Sequence, residues 1–320
     1  MSPDQSVTAF APATIGNVIC GFDVFGLALE SPGDRVTVRL TPNSGLRISR
    51  IIGDGGRLPT DPGLNSATVG ISALLRETDR SEGMEVIVEK GLPLSGGMGG
   101  SAASAVAAVV AADSLLATDL SEEELLSCAL AGEQVAAGGA HLDNIAPALL
   151  GGLLLVRPSK TLPVVRLPVP EGLAVALLNP AVELSTREGR QAIGEMVPLG
   201  EAVFQWGNTA AFVHALHAQD WGLLADALED RIAEPHRRAS IPAFDTVRQA
   251  ALATGAVACG ISGAGPSMFS LCRDAESAER VGEEMLSAYN ANAEPDATIY
   301  RSPVALAGAR VISPTEARVW

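Results

Sequence analysis

Aromatic side chains are scarce, at 4% of 320 residues, which leaves core filling to Ala, Val, Leu and Ile. Lysine is scarcer still: Lys90 and Lys160 are the only two, and the phosphate-binding pattern GxxxxGK[ST] is absent. Cys20, Cys128, Cys259 and Cys272 form no CxxC pair and have no accompanying His at zinc-site spacing. That argues against a disulfide framework or a zinc site and fits reduced, mostly buried thiols in a cytoplasmic protein. Residues 1–5 carry no basic leader, and the longest apolar run, Leu149 to Val156, is less than half the ~20 residues a membrane span needs. Positive charge is also short, with 22 Lys and Arg against 37 Asp and Glu, a formal net charge of -15. The overall field repels nucleic acid and anionic membrane, so an anionic ligand has to be held locally, by backbone N–H groups or a few placed arginines.

What is present describes an ordinary globular protein, 47% hydrophobic and 18% charged, and long enough for two domains. Val36 to Leu40 and Met84 to Glu89 alternate at period two and predict half-buried strands, with the turn cluster Gly53-Asp54-Gly55-Gly56 between them. Residues Ser101 to Thr118 are nearly all small or apolar, with no Gly or Pro, and predict a buried helix. Ser121 followed by Glu124 is a capping box that opens another helix. Gly151 to Val156 reads as a strand, and Pro158, Pro163, Pro168 and Pro170 as a crossover, which places the domain boundary between 1–163 and 164–320. Beyond it the pattern predicts a strand at 173–178, one or two helices over 201–229 and a helix at 244–254. A strand pair at 256–262 and 267–272 and a helix at 275–290 follow, an α+β or α/β arrangement with no internal repeat.

The segment Pro93-Leu94-Ser95-Gly96-Gly97-Met98-Gly99-Gly100-Ser101 runs directly into the small-residue helix. Glycines let backbone N–H groups approach anionic oxygens, and the helix N-terminus adds free donors and a favourable dipole. The segment does not fit the dinucleotide fingerprint GxGxxG, which should open the first βαβ unit. On its own it fits either a phosphate cradle or a glycine turn before a buried helix.

Pro93 to Ser104 resembles the PxxxGLGSSAA phosphate loop of the GHMP kinases. Ala11-Pro12-Ala13-Thr14 with Gly21-Phe22-Asp23 is similar to the opening of that family's homoserine branch, and Gly260 to Ser267 to its third, glycine-rich motif. Smaller blocks in Gly132-Glu133, His141 to Pro147, Leu184 to Arg190 and Glu234 to Arg237 point to the same branch. The resemblance covers nearly the whole chain. It implies a two-domain α+β GHMP kinase fold, with an N-terminal domain like ribosomal protein S5 domain 2 and a C-terminal ferredoxin-like α/β plait. It further implies a cytoplasmic, Mg²⁺- and ATP-dependent phosphotransferase acting on L-homoserine in threonine biosynthesis, and a homodimer.

Carried residue by residue, the resemblance implies ATP binding by Asn65, Pro93, Ser95, Gly96, Gly97, Met98, Gly99, Gly100, Ser101, Ala102 and Ser104. It implies a substrate site of Asn17, Asp23, His141, Asn144, Thr186, Arg190, Arg237 and Gly263. Homoserine is a zwitterion with a primary alcohol: Arg190 and Arg237 suit its carboxylate, and Asp23 with Asn17 its ammonium. Ser101 and Glu133 are the expected Mg²⁺ ligands, enough for an ion that keeps several waters. Phosphoryl transfer asks mainly for positioning, and Asn144, which cannot act as a base, is expected to align the substrate δ-oxygen. The chain departs from the pattern at Gly100, where relatives carry Ser, and at residues 15–20. His214 and His217 share a helix face without a third metal ligand and are expected to have a surface or packing role. A mevalonate-type kinase and a non-catalytic ligand sensor on the same fold are the competing readings.

Overall fold

The computed structural model of the chain describes residues 5–137, 139, 141–157, 164–313 and 316. Its elements run in the order β1 (Ser6–Gly16), β2 (Phe25–Thr41), β3 (Leu46–Ile52), α1 (Ser66–Glu77), β4 (Gly83–Glu89), α2 (Gly100–Leu116), α3 (Glu122–Ala137), α4 (Leu142–Leu150), β5 (Leu153–Val156) and β6 (Val164–Leu167). They continue with β7 (Ala174–Pro180), α5 (Thr186–Gln191), α6 (Leu199–Ala218), α7 (Trp221–Ala227), α8 (Glu234–Arg237), α9 (Phe244–Ala253), β8 (Ala258–Ile261), β9 (Met268–Cys272), α10 (Ala275–Asn290), β10 (Ala297–Pro303) and β11 (Arg310–Ile312).

The first sheet has the order β11-β1-β2-β4-β3, with β5 on β2 and β6 on β5. The predicted strands at 36–40 and 84–89 are antiparallel neighbours, Val36 opposite Val88 and Val38 opposite Val86, all buried. The 17-residue β2 pairs with β1 along one edge and serves two partners on the other, its start pairing with β5 and its end with β4. Strands from both sides of residue 163 enter this sheet, since β6 and the late β11 both join it. The second sheet, β10-β7-β9-β8, is wholly antiparallel and carries α9 and α10.

Helix α2 is buried over most of its length, and its Ala, Val and Ser side chains let α1, α3 and the first sheet close around it. It ends at Leu116, two residues short of the expected end, because Ala117 turns left-handed (φ 50°). The capping box before α3 is present: Glu124 N–H donates to the Ser121 hydroxyl at 3.3 Å, and Ser121 N–H donates to the Glu124 carboxylate at 2.8 Å. The apolar run from Leu149 is two elements, the end of α4 and β5, split by Gly151 and Gly152. Pro158 and Pro163 of the expected crossover, and Lys160, lie outside the described residues. No described helix is long and apolar enough to cross a membrane.

Candidate active site

A cleft of about 560 Å³ opens where β1, the 93–101 loop, the start of α4, the 183–190 segment and the 263–264 turn meet. Four cationic residues (Arg57, Lys90, Arg190, Arg237) and four acidic ones (Asp23, Glu133, Asp143, Glu183) line it. The cleft is locally balanced within a chain of net charge -15, as a site for an anionic ligand in an acidic protein requires.

The glycine loop is held by its carbonyls. Ser267 Oγ donates to Gly96 O at 2.5 Å, Ser262 Oγ to Gly97 O at 2.6 Å and Thr14 N–H to Met98 O at 3.1 Å. Lys90 Nζ donates to Gly100 O at 2.7 Å. In a trans peptide the carbonyl and the next N–H point in opposite directions. Four anchored carbonyls therefore turn the N–H groups of Gly97, Met98, Gly99 and Ser101 away from these partners, as an anion cradle needs. Gly97 (φ 71°) and Gly99 (φ 67°) are left-handed, and a Cβ at Gly97 would lie 2.6 Å from Ser262 O, and one at Gly99 2.0 Å from Thr14 Oγ1. Only glycine fits both the dihedrals and the space. Gly99 caps α2 without a side-chain hydrogen bond, so the first N–H groups of this 17-residue helix stay available to a ligand.

Of the residues expected to hold nucleotide, Pro93, Ser95, Gly96, Gly97, Gly99, Gly100, Ser101, Ser104 and Asn65 line the cleft. Met98 and Ala102 do not: their side chains are in the core, leaving only backbone N–H groups to offer. Ser104 is also committed inward, donating to Asp34 Oδ2 at 2.7 Å and accepting from Lys90 Nζ at 2.9 Å. Asn65 is the N-cap of α1, accepting from Ala67 N–H at 3.1 Å and donating to Pro59 O at 3.0 Å. It shapes the 59–65 loop, and the apolar surface beside it comes from Pro59 and the exposed side chains of Leu64 and Val135.

Glu133 is buried near the end of α3. Its Oε1 meets His141 Nδ1 at 3.2 Å, and its Oε2 is buried without a hydrogen-bond partner among the described residues. An orphaned carboxylate oxygen in a buried setting wants a cation, and Ser101 adds a hydroxyl to the same cleft. The hydrogen bond to Glu133 raises the His141 pKa above its usual value, ahead of the opposing effect of burial. No group of three or more His, Cys, Asp or Glu side chains suited to a metal occurs among the described residues, His214 and His217 included.

At the other end Asp23 (φ 60°) and Arg190 form a two-point ion pair, Nη1 to Oδ1 at 3.0 Å and Nη2 to Oδ2 at 2.5 Å. The Phe22 ring lies 5.4 Å from the Arg190 guanidinium and 5.5 Å from that of Arg237. Arg237, buried, donates to Gly263 O at 2.8 Å and to Gly189 O at 3.3 Å. Asn17 lines the cleft with both ends of its amide held by protein partners. Its Nδ2 donates to Gly263 O and its Oδ1 accepts from Asp23 N–H, both at 2.9 Å, so it first of all fixes the Asp23 backbone. Asp143, next to Asn144, accepts from Asn17 N–H at 3.2 Å, and burial, helped by the Asp23 charge, pushes its pKa up to about 6. Asn144 Oδ1 accepts from the Thr14 hydroxyl at 2.8 Å, and Thr186 lines the cleft at the start of α5.

The site also uses residues that the sequence reading passed over: Thr14, Asp34, Lys90, Asn179, Ser262, Ser267 and the cleft-mouth pair Arg57–Glu183. Thr14, Ser262 and Ser267 sat inside recognised blocks, where position could have suggested a role. Asp34 lies in an unremarkable strand and gave no signal.

The GHMP kinases N terminal domain model matches residues 65–152 and the GHMP kinases C terminal model residues 212–291. A homoserine kinase of Chlorobaculum tepidum is 41% identical over 97% of the chain and 99% of its own length. The crystal structure of a homoserine kinase from Cytophaga hutchinsonii superposes with a TM-score of 0.93 at 42% identity, covering 98% of this chain and 99% of that one. A mevalonate diphosphate decarboxylase from Staphylococcus aureus, 14% identical with a TM-score of 0.74, shares the fold alone.

Proposed function

The chain belongs to the GHMP kinases, and we propose that it transfers the γ-phosphoryl group of ATP to the δ-oxygen of L-homoserine, giving O-phospho-L-homoserine and ADP. The observation that carries this reading is one cleft with a backbone anion cradle at one end and the Asp23–Arg190 pair at the other. It is supported by full-length identity of about two-fifths to homoserine kinases.

The adenine would rest on Leu64, Val135 and Pro59, and the triphosphate would run along the N–H groups of 97–101 at the head of α2. Glu133 Oε2 and Ser101 Oγ fit Mg²⁺, a hard cation content with one or two protein oxygens plus phosphate and water. When bound it would offset the charge of the β- and γ-phosphates. The substrate replaces the Asp23–Arg190 contact with its own two charges: its carboxylate takes Arg190 and Arg237, and its ammonium takes Asp23. Thr14 occupies Asn144 Oδ1, which leaves the Nδ2 donor to orient the hydroxyl oxygen toward the phosphate. An amide takes no proton, so the hydroxyl proton passes to phosphate, directly or through water. Cytoplasmic residence and a homodimer rest on the resemblance and belong to the same proposal.

Incubation with MgATP and L-homoserine, followed by ³¹P NMR, tests the reading. A new phosphomonoester resonance equal in amount to the ADP formed supports it; mevalonate as the only acceptor phosphorylated overturns it. Binding of either ligand without ADP formation would turn the reading to a sensor.

A further inference from the structure

Beneath the glycine loop lies a charge pair of which Lys90 lines the floor of the cleft and Asp34 does not. Lys90 Nζ and Asp34 Oδ2 form an ion pair whose side chains are 2% and 0% exposed. Lys90 follows the end of β4, and Asp34 lies within β2. All three ammonium protons are used: on Asp34, on Gly100 O at 2.7 Å and on Ser104 Oγ at 2.9 Å. Asp34 is equally committed. Its Oδ1 accepts from Gly91 N–H at 3.0 Å and Leu92 N–H at 3.1 Å, and its Oδ2 from the Ser104 hydroxyl at 2.7 Å.

The arrangement ties both ends of one loop to a single carboxylate. Gly91 and Leu92 begin the loop and donate to Asp34 directly, while Gly100 and Ser104, at the head of α2, reach it through Lys90 and the Ser104 hydroxyl. The Cβ that Gly100 lacks would lie 3.4 Å from Lys90 Nζ, so the ammonium is the nearest neighbour of that loop position. The carbonyl Lys90 holds is the one whose peptide ends in the Ser101 N–H, the donor beside the Ser101 hydroxyl. A buried pair of this kind is weak evidence for stability, because desolvation offsets much of its attraction. Its position suits it to fixing geometry.

We propose that Lys90 and Asp34 are positioning residues for nucleotide: the pair closes the loop from below and sets the direction of the Ser101 N–H and hydroxyl, without contacting homoserine. The inference rests on the phosphate-loop reading of 93–101. It assigns the only lysine of the described residues to the geometry of phosphoryl transfer.

The test uses the full chain carrying Lys90→Met with Asp34→Asn, which removes both charges and leaves neither buried alone, and Ser104→Ala as a milder second variant. Calorimetric titration with MgADP and, separately, with L-homoserine is expected to show nucleotide affinity reduced on the order of tenfold in the double variant, the scale of one lost hydrogen bond to a charged phosphate oxygen. Homoserine affinity should stay within about twofold, and Ser104→Ala should show a smaller loss confined to nucleotide. Nucleotide affinity equal to wild type in either folded variant, or equal losses for both ligands, overturns the proposal. If the double variant does not fold, Ser104→Ala decides alone. A wild-type chain that binds no MgADP sinks the proposed function itself, a result distinct from failure of the clamp.

Discussion

The Thr14 hydroxyl donates to Asn144 Oδ1 at 2.8 Å, joining β1 to the first turn of α4 and fixing which end of the Asn144 amide is free. The amide nitrogen is the free end. Thr14→Val keeps the shape and removes the donor, so the amide is free to flip. Turnover is expected to fall roughly tenfold, the scale of one lost hydrogen bond of about 1 kcal/mol or slightly more, with the KM for ATP unchanged. Asn144→Ala should lower kcat further, and steady-state kinetics on both variants check the order. Near-normal turnover in Asn144→Ala removes Asn144 from the mechanism.

Glu133→Gln keeps the side-chain volume and removes the charge on the orphaned oxygen. The Mg²⁺ concentration for half-maximal rate is expected to rise, and kcat to fall by about a hundredfold or more, since charge neutralisation around the transferring phosphoryl group is a main source of rate. A Mg²⁺ titration of the initial rate checks this. Homoserine affinity should change less, since Glu133 reaches that end of the cleft only through His141.

Arg190→Met leaves Asp23 without its two-point partner and the substrate carboxylate without one of its cations. Hydrogen bonds to charged groups contribute about 1.5–3 kcal/mol each, so the KM for homoserine should rise roughly ten- to a hundredfold. The KM for ATP should move little. A comparable rise in both constants would mean that Arg190 does not belong to the acceptor end.

The predictions so far turn on residues of unequal legibility. The strands of Val36 to Leu40 and Met84 to Glu89 could be read because one face of each is buried and the period is two. The α10 span of Ala275–Asn290 coincided with its expected bounds because Asp274 caps it with its side chain on Ser277 N–H. The loop at 93–101 showed its glycines but not its fastenings, three of which come from Ser262, Ser267 and Thr14, between about 80 and 170 residues away. Partners that distant leave no local pattern. The same holds for Asn65, where a cap and a ligand contact call for the same residue type. Met98 and Ala102 belonged to the recognised motif, yet the loop turns the Met98 side chain, and the first turn of α2 the Ala102 side chain, into the core.

Gly99→Ala tests the loop backbone. Alanine at φ 67° is strained, and its Cβ would lie 2.0 Å from Thr14 Oγ1. A left-handed alanine alone costs about 1 kcal/mol or more, and the clash adds to it, so destabilisation of at least about 2 kcal/mol is expected from urea unfolding. The hydroxyl contact that orients Asn144 should be lost with it.

Asp143 supplies a pH signature. Its pKa is raised from 3.8 to about 6, so the folded state holds a proton that the unfolded chain releases between those values. Stability then falls as pH rises from about 4 to about 6, and the cost of the buried charge is complete above about 6. Asp143→Asn can still accept from Asn17 N–H. It should stabilise the protein at pH 7 by on the order of 2–3 kcal/mol, with the advantage vanishing near pH 4. Thermal unfolding across that range checks the sign.

The most direct single measurement follows ADP and phosphomonoester together in one reaction of wild-type chain, Mg²⁺, ATP and L-homoserine, with mevalonate and the carboxylate-free analogue homoserinol in parallel. A cleft built for a zwitterion predicts one equivalent of O-phospho-L-homoserine per ADP and, for homoserinol, kcat/KM lower by about a hundredfold or more, since Arg190 and Arg237 lose their anion. Equal rates with homoserinol, or product from mevalonate alone, would contradict it.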